Sequence, residues 1–409
     1  MRILHTSDWH IGRTLCGRKR YEEYVSFFTW LAETIQQNDI EVLLVAGDVF
    51  DTTAPSNRAQ ELYYQFLHKV SVSTCKHVVI IAGNHDSPSF LNAPKELLKV
   101  LNVHVVGTVS GDLNDEVLVL YDQQHVPELI VCAVPYLRDK DIRTAEAGES
   151  INDKERNLLE GISKHYAAVG LLADKKRHEL GMDIPIVGMG HLFTSGGRIV
   201  DDDGVRELYI GTLAHVSADA FPKSFNYTAL GHLHIPQKVI DLEIIRYSGS
   251  PLAMGFGESN HKKSVCLVDI DKDTVAVNLI EVPNFQPLES IKGDWDCISN
   301  RLTELSAENN NGLLEIVYTG DEIISDLQDR LTISINDTPL EILRVKNNRI
   351  IERALEQVNF NEALDDLSEI DVFVRCLNDH EIPEDQRQDM MVAYKEILLS
   401  IQESDKQAE

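Results

Sequence analysis

The 409-residue chain contains no Cys-X-X-Cys pair, no Gly-X-X-X-X-Gly-Lys-Ser/Thr loop, no apolar run of membrane-spanning length and comparatively little positive charge. Six scattered cysteines, Cys16, Cys75, Cys132, Cys266, Cys297 and Cys376, exclude a thiolate zinc site or a disulfide frame and read as buried free thiols. Without a phosphate-binding loop, any ATP hydrolysis must belong to a partner. No segment suits a membrane span, and the start Met-Arg-Ile-Leu-His-Thr-Ser-Asp lacks the apolar core and cleavage site of a secretory signal, so no membrane and a cytoplasmic address are expected. What is present is 43% hydrophobic residues, enough for two or three globular domains.

Lys and Arg number 38 against 66 Asp and Glu, a formal net charge of −28. At face value this opposes a polyanionic partner, because nucleic-acid affinity is largely phosphate neutralisation by Lys and Arg. The distribution weakens that exclusion: from Phe285 onward there are 28 acidic and 11 basic side chains, so the acidity is concentrated in the last third. Arg13, Arg18, Lys19 and Arg20 form a small basic cluster that could touch phosphates or equally form a solvated helix entry.

Short apolar runs each end in a polar cluster: Arg2-Ile-Leu-His before Ser7-Asp8, Glu41-Val-Leu-Leu-Val-Ala before Gly47-Asp48, and His77-Val-Val-Ile-Ile-Ala before Gly83-Asn84. Helix-like segments, about Arg20 to Gln37 and Ser56 to Val70, separate them. Buried strands alternating with helices predict an α/β layered sheet, with ligands beyond the carboxyl ends of the strands. Two further apolar strands end in Gly-His, at Gly190-His191 and Gly231-His232, and later strand-like pieces suggest a second, more antiparallel sheet. Pro283-Asn-Phe-Gln-Pro287 breaks the regularity. The expected organisation is a catalytic domain over 1–284, a small α/β cap over 285–346, a linker over 347–361 and a C-terminal helix-loop-helix over 362–409. Its second helix, from Pro383, carries Met390, Tyr394, Ile397, Leu398 and Ile401 as an amphipathic stripe suited to a docked partner or to its own core.

The strand-end clusters are Ser7-Asp8-Trp9-His10, Gly47-Asp48-Val49-Phe50-Asp51, Gly83-Asn84-His85-Asp86, Gly190-His191 and Gly231-His232-Leu233-His234. Each alone recurs by chance; together, in this order and each after an apolar strand, they do not. On an extended segment residues i and i+2 share a face with Cα atoms roughly 6.6 Å apart, so Asp8 with His10, and His232 with His234, can converge. Carboxylate, imidazole and amide donors without thiolate suit two divalent cations, Mn²⁺ first, with Fe²⁺ or Zn²⁺ as alternatives.

These motifs, D-X-H, GD, GNH[DE], GH and GHXH, resemble the calcineurin-type binuclear metallophosphoesterases. The wording "MRILHTSDWHIG", "VAGDVFDTTAPS", "AGNHDS", "LGHLHIPQ" and "YSGSPL" is similar to that of the SbcD family of bacterial DNA-repair nuclease subunits. The resemblance implies a layered two-sheet sandwich flanked by helices. It further implies a first metal on Asp8, His10 and His234, a second on Asn84, His191 and His232, Asp48 between them, and His85 at the scissile phosphate. Phosphodiester hydrolysis by a hydroxide held on both metals would follow. As 3′–5′ double-strand exonuclease and hairpin or single-strand endonuclease, the chain would act on DNA at the nucleoid, as a homodimer within a heterotetramer containing the ATPase SbcC.

Asp51 stands where archaeal and eukaryotic relatives have histidine. Its carboxylate is expected to hydrogen-bond His85 and raise its basicity, so that loss of the charge lowers turnover and leaves metal content intact. Two rival readings share the scaffold: a phosphoesterase for small molecules or phosphoproteins, which the acidic charge favours, and a non-catalytic architectural protein, which would be expected to have lost ligands.

Overall fold

The computed structural model describes residues 1–142, 151–197, 216–271, 274–308, 311–322, 324 and 326–347, together with Phe373, Val374, Leu377, Arg387, Met390, Met391 and Tyr394. The chain divides into two compact units, Met1–Phe285 and Gln286–Glu409.

Strands of the first unit, in chain order, are β1 (Arg2–Thr6), a short hairpin of β2 (Thr14–Leu15) and β3 (Arg18–Lys19), β4 (Val42–Ala46), β5 (His77–Ile81), β6 (Val103–Val106), β7 (Val117–Tyr121), β8 (Pro127–Ala133), β9 (Ile186–His191), β10 (Tyr227–Gly231), β11 (Gln237–Val239), β12 (Leu242–Tyr247), β13 (Ser264–Asp271) and β14 (Thr274–Glu281). They form two six-stranded sheets, β14-β13-β1-β4-β5-β6 and β11-β12-β10-β9-β8-β7. Ile3, Leu44, Val79 and Val268 from the first sheet and Val131, Val187, Met189 and Ala229 from the second share one buried layer between the sheets. Helices α1 (Tyr21–Gln37) and α2 (Asn57–Ser71) cover the outer face of the first sheet, and the helix Ile151–Leu180 covers that of the second. The result is a two-sheet sandwich between helical layers, because each central strand is apolar on both faces and needs cover on both.

The second sheet differs from expectation. Its centre, β8, β9, β10 and β12, is parallel, and only its edges β7 and β11 are antiparallel. The antiparallel pair β13–β14 instead extends the first sheet beside β1, in the register Leu4↔Leu267. Alternation along β13 reveals two buried faces but not which sheet's edge accepts them. The expectation of buried thiols holds for Cys75, Cys132 and Cys266, whereas the free thiols Cys16 and Cys297 are exposed.

The second unit contains a three-stranded parallel sheet of β15 (Leu288–Gly293), β16 (Leu313–Tyr318) and β17 (Glu341–Asn347). Helices Trp295–Ala307 and Leu327–Ser334 pack on it through Ile298, Leu302, Leu305 and Leu331. Asp294 caps the first of these by accepting from the Cys297 amide at 2.9 Å. The expected linker and helix-loop-helix lie outside the described residues, apart from isolated helical positions among which Phe373 and Tyr394 stack at 3.9 Å. Among the described residues no helix is long and apolar enough to cross a membrane.

Candidate metal centre

The carboxyl ends of β1, β4, β5, β9 and β10 meet at one place, and each is followed by, or ends on, one of the polar clusters. Convergence does not come from strand alternation, as the period-two reading predicts. β1 ends at Thr6 and β10 at Gly231, so Asp8, His10, His232 and His234 all lie beyond the strands. Asp8 (φ 53°), His10 (47°), Asp48 (49°) and His232 (103°) instead adopt left-handed backbone, which costs non-glycine residues of order 1–3 kcal/mol each and persists only where the surroundings impose it.

Those surroundings are visible. The Asp8 and His10 amides donate to the Gly47 and Asp48 carbonyls at 3.0 and 2.9 Å, lacing the loop after β1 to the loop after β4. Between them the Trp9 side chain turns into the helical layer, edge-on to Phe28 and Phe66, with centroids 5.1 and 5.4 Å away. Gly47 has φ 88°, and a Cβ there would overlap His191; a Cβ on Gly231 would overlap the Ala46 carbonyl where the two sheets close together.

Three groups of candidate ligand atoms result: Asp8, His10 and His234, and Asp48, His191 and His232, all buried, with a third of His10, Asp51 and His85 in which Asp51 is partly exposed. The Asn84 Oδ1 lies 2.9 Å from His191 Nε2, adding the amide to the second group. Asp48 Oδ2 stands 3.6 Å from His10 Nε2 and 3.3 Å from His191 Nε2, between the two groups. Its Oδ1 accepts from the His85 amide at 2.8 Å.

Four of the imidazoles are oriented alike. His191 Nδ1 meets the Ala46 carbonyl at 3.0 Å, His85 Nδ1 the Asp51 carbonyl at 2.9 Å, His234 Nδ1 the Glu258 carboxylate at 3.4 Å and His10 Nδ1 the Asp51 carboxylate at 3.3 Å. A hydrogen-bond acceptor at Nδ1, as for His191 and His85, places the proton there and leaves Nε2 as the lone-pair nitrogen of the neutral ring, while the approaches of His10 to Asp51 and of His234 to Glu258 are charge contacts without hydrogen-bond geometry. The Nε2 atoms of His10 and His234 approach to 3.1 Å, close enough for one cation to take both.

Electrostatics point the same way. Burial pushes the Asp8 carboxyl up to about 6 and His10 down to about 4. Burial also works to raise Asp48, but the imidazoles of His191, His10 and His85 outweigh it and hold the carboxyl well below its usual range. His191, opposed by burial, is carried up to about 9 by Asp48 and Asp8. Buried carboxylates leaning on imidazoles for positive charge form a donor set short of cations, and oxygen and nitrogen without sulfur fits Mn²⁺, Fe²⁺ or Zn²⁺.

Asp51 departs from expectation. His85 meets its main-chain carbonyl, while the carboxylate accepts from Arg13 Nη1 at 3.1 Å and faces His10. The left-handed turns after β1 bring His10 and Arg13 to this carboxylate, which sequence spacing does not reveal. Arg20 is likewise absorbed by structure, buried against Glu23 and the Ala253 carbonyl. Two further groups carry the site. Asp86 accepts from the Val49, Phe50 and Gly83 amides at 3.1, 2.9 and 2.9 Å and ties the loops after β4 and β5 together. Its place in Gly-Asn-His-Asp was a signal for it. Glu258, fully buried, binds Lys263 Nζ at 2.5 Å and the Met254 amide at 2.8 Å besides facing His234, and no motif marks it.

Residues 1–236 match the family model for calcineurin-like phosphoesterases, and 284–381 match the one described as the type 5 capsule protein repressor C-terminal domain. The chain is 35% identical over 391 residues to the SbcD subunit of the SbcCD nuclease of Escherichia coli strain K12, covering 95% of each. It belongs to the SbcD family. Relatives of the same name from Rhodobacter capsulatus and Bacillus subtilis are 36% and 33% identical over 283 and 273 residues, 66% of each chain. SbcD-family membership and the phosphoesterase domain make the protein a metal-dependent hydrolase of phosphate esters.

Proposed function

We propose that the protein is the nuclease subunit of a DNA-repair complex, hydrolysing DNA phosphodiesters as a 3′–5′ double-strand exonuclease and as an endonuclease on hairpins and single strands. The observation that carries this reading is the arrangement of two three-residue ligand groups around Asp48, beside an oriented His85. Asp8, His10 and His234 would hold one divalent cation and Asn84, His191 and His232 the other, with Asp48 shared; Mn²⁺ suits the donors best. Such a pair supplies Lewis acidity, activating water and neutralising phosphate charge.

The remaining work falls to the protein. Asp86 and the main-chain bonds between the loops hold the ligands at fixed separation, so little reorganisation accompanies reaction. His85, its Nδ1–H donated to the Asp51 carbonyl, would act as the imidazolium, its Nε2–H passing to the departing sugar oxygen as the new phosphorus–oxygen bond to water forms.

By likeness to the SbcD relatives of the SbcCD nuclease, the chain would assemble as a homodimer with two copies of the ATPase SbcC, through the segment 362–409. Hydrolysis of a hairpin DNA with Mn²⁺ tests the reading. The wild-type chain should cut it, and His85→Gln should lose roughly 10²–10⁴-fold in turnover with metal content retained. Cleavage of an aryl phosphodiester with no action on any DNA would instead establish the small-molecule reading that the net charge of −28 favours.

A further inference from the structure

The catalytic cluster occupies the carboxyl ends of the strands. At the opposite, amino end of the first sheet lies a second group of histidines. His77 opens β5 and His104 is the second residue of β6. The register Val79↔His104 puts His77 two residues before the position paired with His104, so both side chains stand on the same sheet face. Their rings lie 5.7 Å apart at 38° and line a groove of about 510 Å³, together with Asn102, Tyr121 and His125.

Each ring carries one buried nitrogen without a hydrogen-bond partner among the described residues: Nδ1 of His77 and Nε2 of His104. For His77 the tautomer follows from its other nitrogen. Nε2 meets the Tyr121 main-chain carbonyl at 2.8 Å, which can only accept, so Nε2 carries the proton and Nδ1 is a bare lone pair. A buried acceptor left unmatched is destabilising, and this one is held in place by the bond that fixes metal-ligating histidines elsewhere. The neighbouring Cys75 thiol does not compete, since it donates to the His77 carbonyl at 3.2 Å and burial pushes it up to about 12.

We propose that His77 and His104 form a third metal site, distinct from the catalytic pair, that takes a borderline transition-metal cation such as Zn²⁺ or Ni²⁺ on His77 Nδ1 and His104 Nε2. Solvent fills the other positions, and His125 lines the same groove without its ring nitrogens converging on the pair. Two imidazole donors favour these cations over Mg²⁺, Ca²⁺ and Mn²⁺, and Asp122, which lines the same groove, has its Oδ1 taken by the Gln124 and Val126 amides, so the site differs in preference from the oxygen-rich catalytic centre. Five-residue strands separate the two, on the order of 15 Å, and the site's existence is independent of the function proposed above.

The test is metal stoichiometry of the full chain. Chelator-stripped protein is dialysed against Zn²⁺ and, in parallel, Ni²⁺, and bound metal per chain is measured by atomic absorption. The double variant His77→Gln/His104→Gln should bind one equivalent fewer than the parent while keeping Mn²⁺-dependent phosphodiesterase activity. Each single variant should weaken that equivalent at least about 10-fold, which decides the matter if the double variant folds poorly. A parent chain that binds no equivalent beyond those removed by Asp48→Asn, or single variants that bind Zn²⁺ and Ni²⁺ as the parent does, overturns the site.

Discussion

At the scale of single residues, the active centre is organised by what sits behind each ligand. Asp51 is the clearest case. Its carboxylate faces His10 Nδ1 and Arg13, while His85 Nδ1 takes the Asp51 main-chain carbonyl, an arrangement that puts the charge behind a candidate metal ligand. Asp51→Asn should therefore weaken metal binding about 10–100-fold, and titration with Mn²⁺ should restore most of the lost turnover. A turnover deficit unchanged at saturating Mn²⁺ would return Asp51 to the role of a partner for His85. His5 makes a different prediction. Burial drives it down to about 3, Arg246 adding to the effect and the Leu230 carbonyl opposing it. Unfolded, it titrates near 6.5, so between pH 6.5 and 3 the unfolded chain binds a proton that the folded chain does not. Stability should fall as pH drops through that window, His5 contributing up to about 1.4 kcal/mol per pH unit. Urea unfolding of His5→Gln at several pH values should show a shallower acid slope than the parent.

Elements position these residues by closing on one another with no spare room. β1, β4 and β5 run parallel in one sheet and β9 and β10 in the other, and their carboxyl ends come into contact where Gly231 lies over the Ala46 carbonyl. Gly231→Ala would drive its Cβ into the Ala46 main-chain carbonyl and against the His191 ring. It should destabilise the fold by about 1–3 kcal/mol, read as a lowered denaturant midpoint, and misplace His232, read as reduced Mn²⁺ affinity. The loop after β1 shows how an element end turns sequence order into geometry: Trp9 anchors in the aromatic layer of α1 and α2, which aims the residues on either side of it at the centre.

For the whole molecule, the division into Met1–Phe285 and Gln286–Glu409 separates the chemistry from the rest. All residues of both ligand groups, with Asp51, His85, Asp86 and Glu258, lie in the first unit. A chain ending at about Leu355 should keep Mn²⁺-dependent cleavage of a small phosphodiester and lose co-purification with the ATPase partner. Retained co-purification would place docking elsewhere. The uneven charge has a matching consequence: residues 356–409 carry 15 acidic against 4 basic side chains, so removing them also makes the remainder less repulsive to DNA.

The residues that converge at the candidate centre, the order of strands and helices in the first half and the α/β character of the second unit were legible in the chain itself, because apolar periodicity and strand-end polar clusters are local properties. Asp8, His10, Asp48, Asn84, His191, His232 and His234 could be named from motif wording alone. Non-local facts were not legible. Left-handed turns at Asp8, His10, Asp48 and His232, which replace the expected strand-face convergence, are stabilised by bonds to distant loops. The placement of β13 beside β1, the turn of Asp51 toward His10 and the burial of Glu258 behind His234 each depend on which segments pack together across tens to hundreds of residues. Sequence determined which donors the protein owns; only tertiary structure decided which nitrogen of each histidine faces inward, because that choice is made by acceptors contributed from elsewhere in the chain.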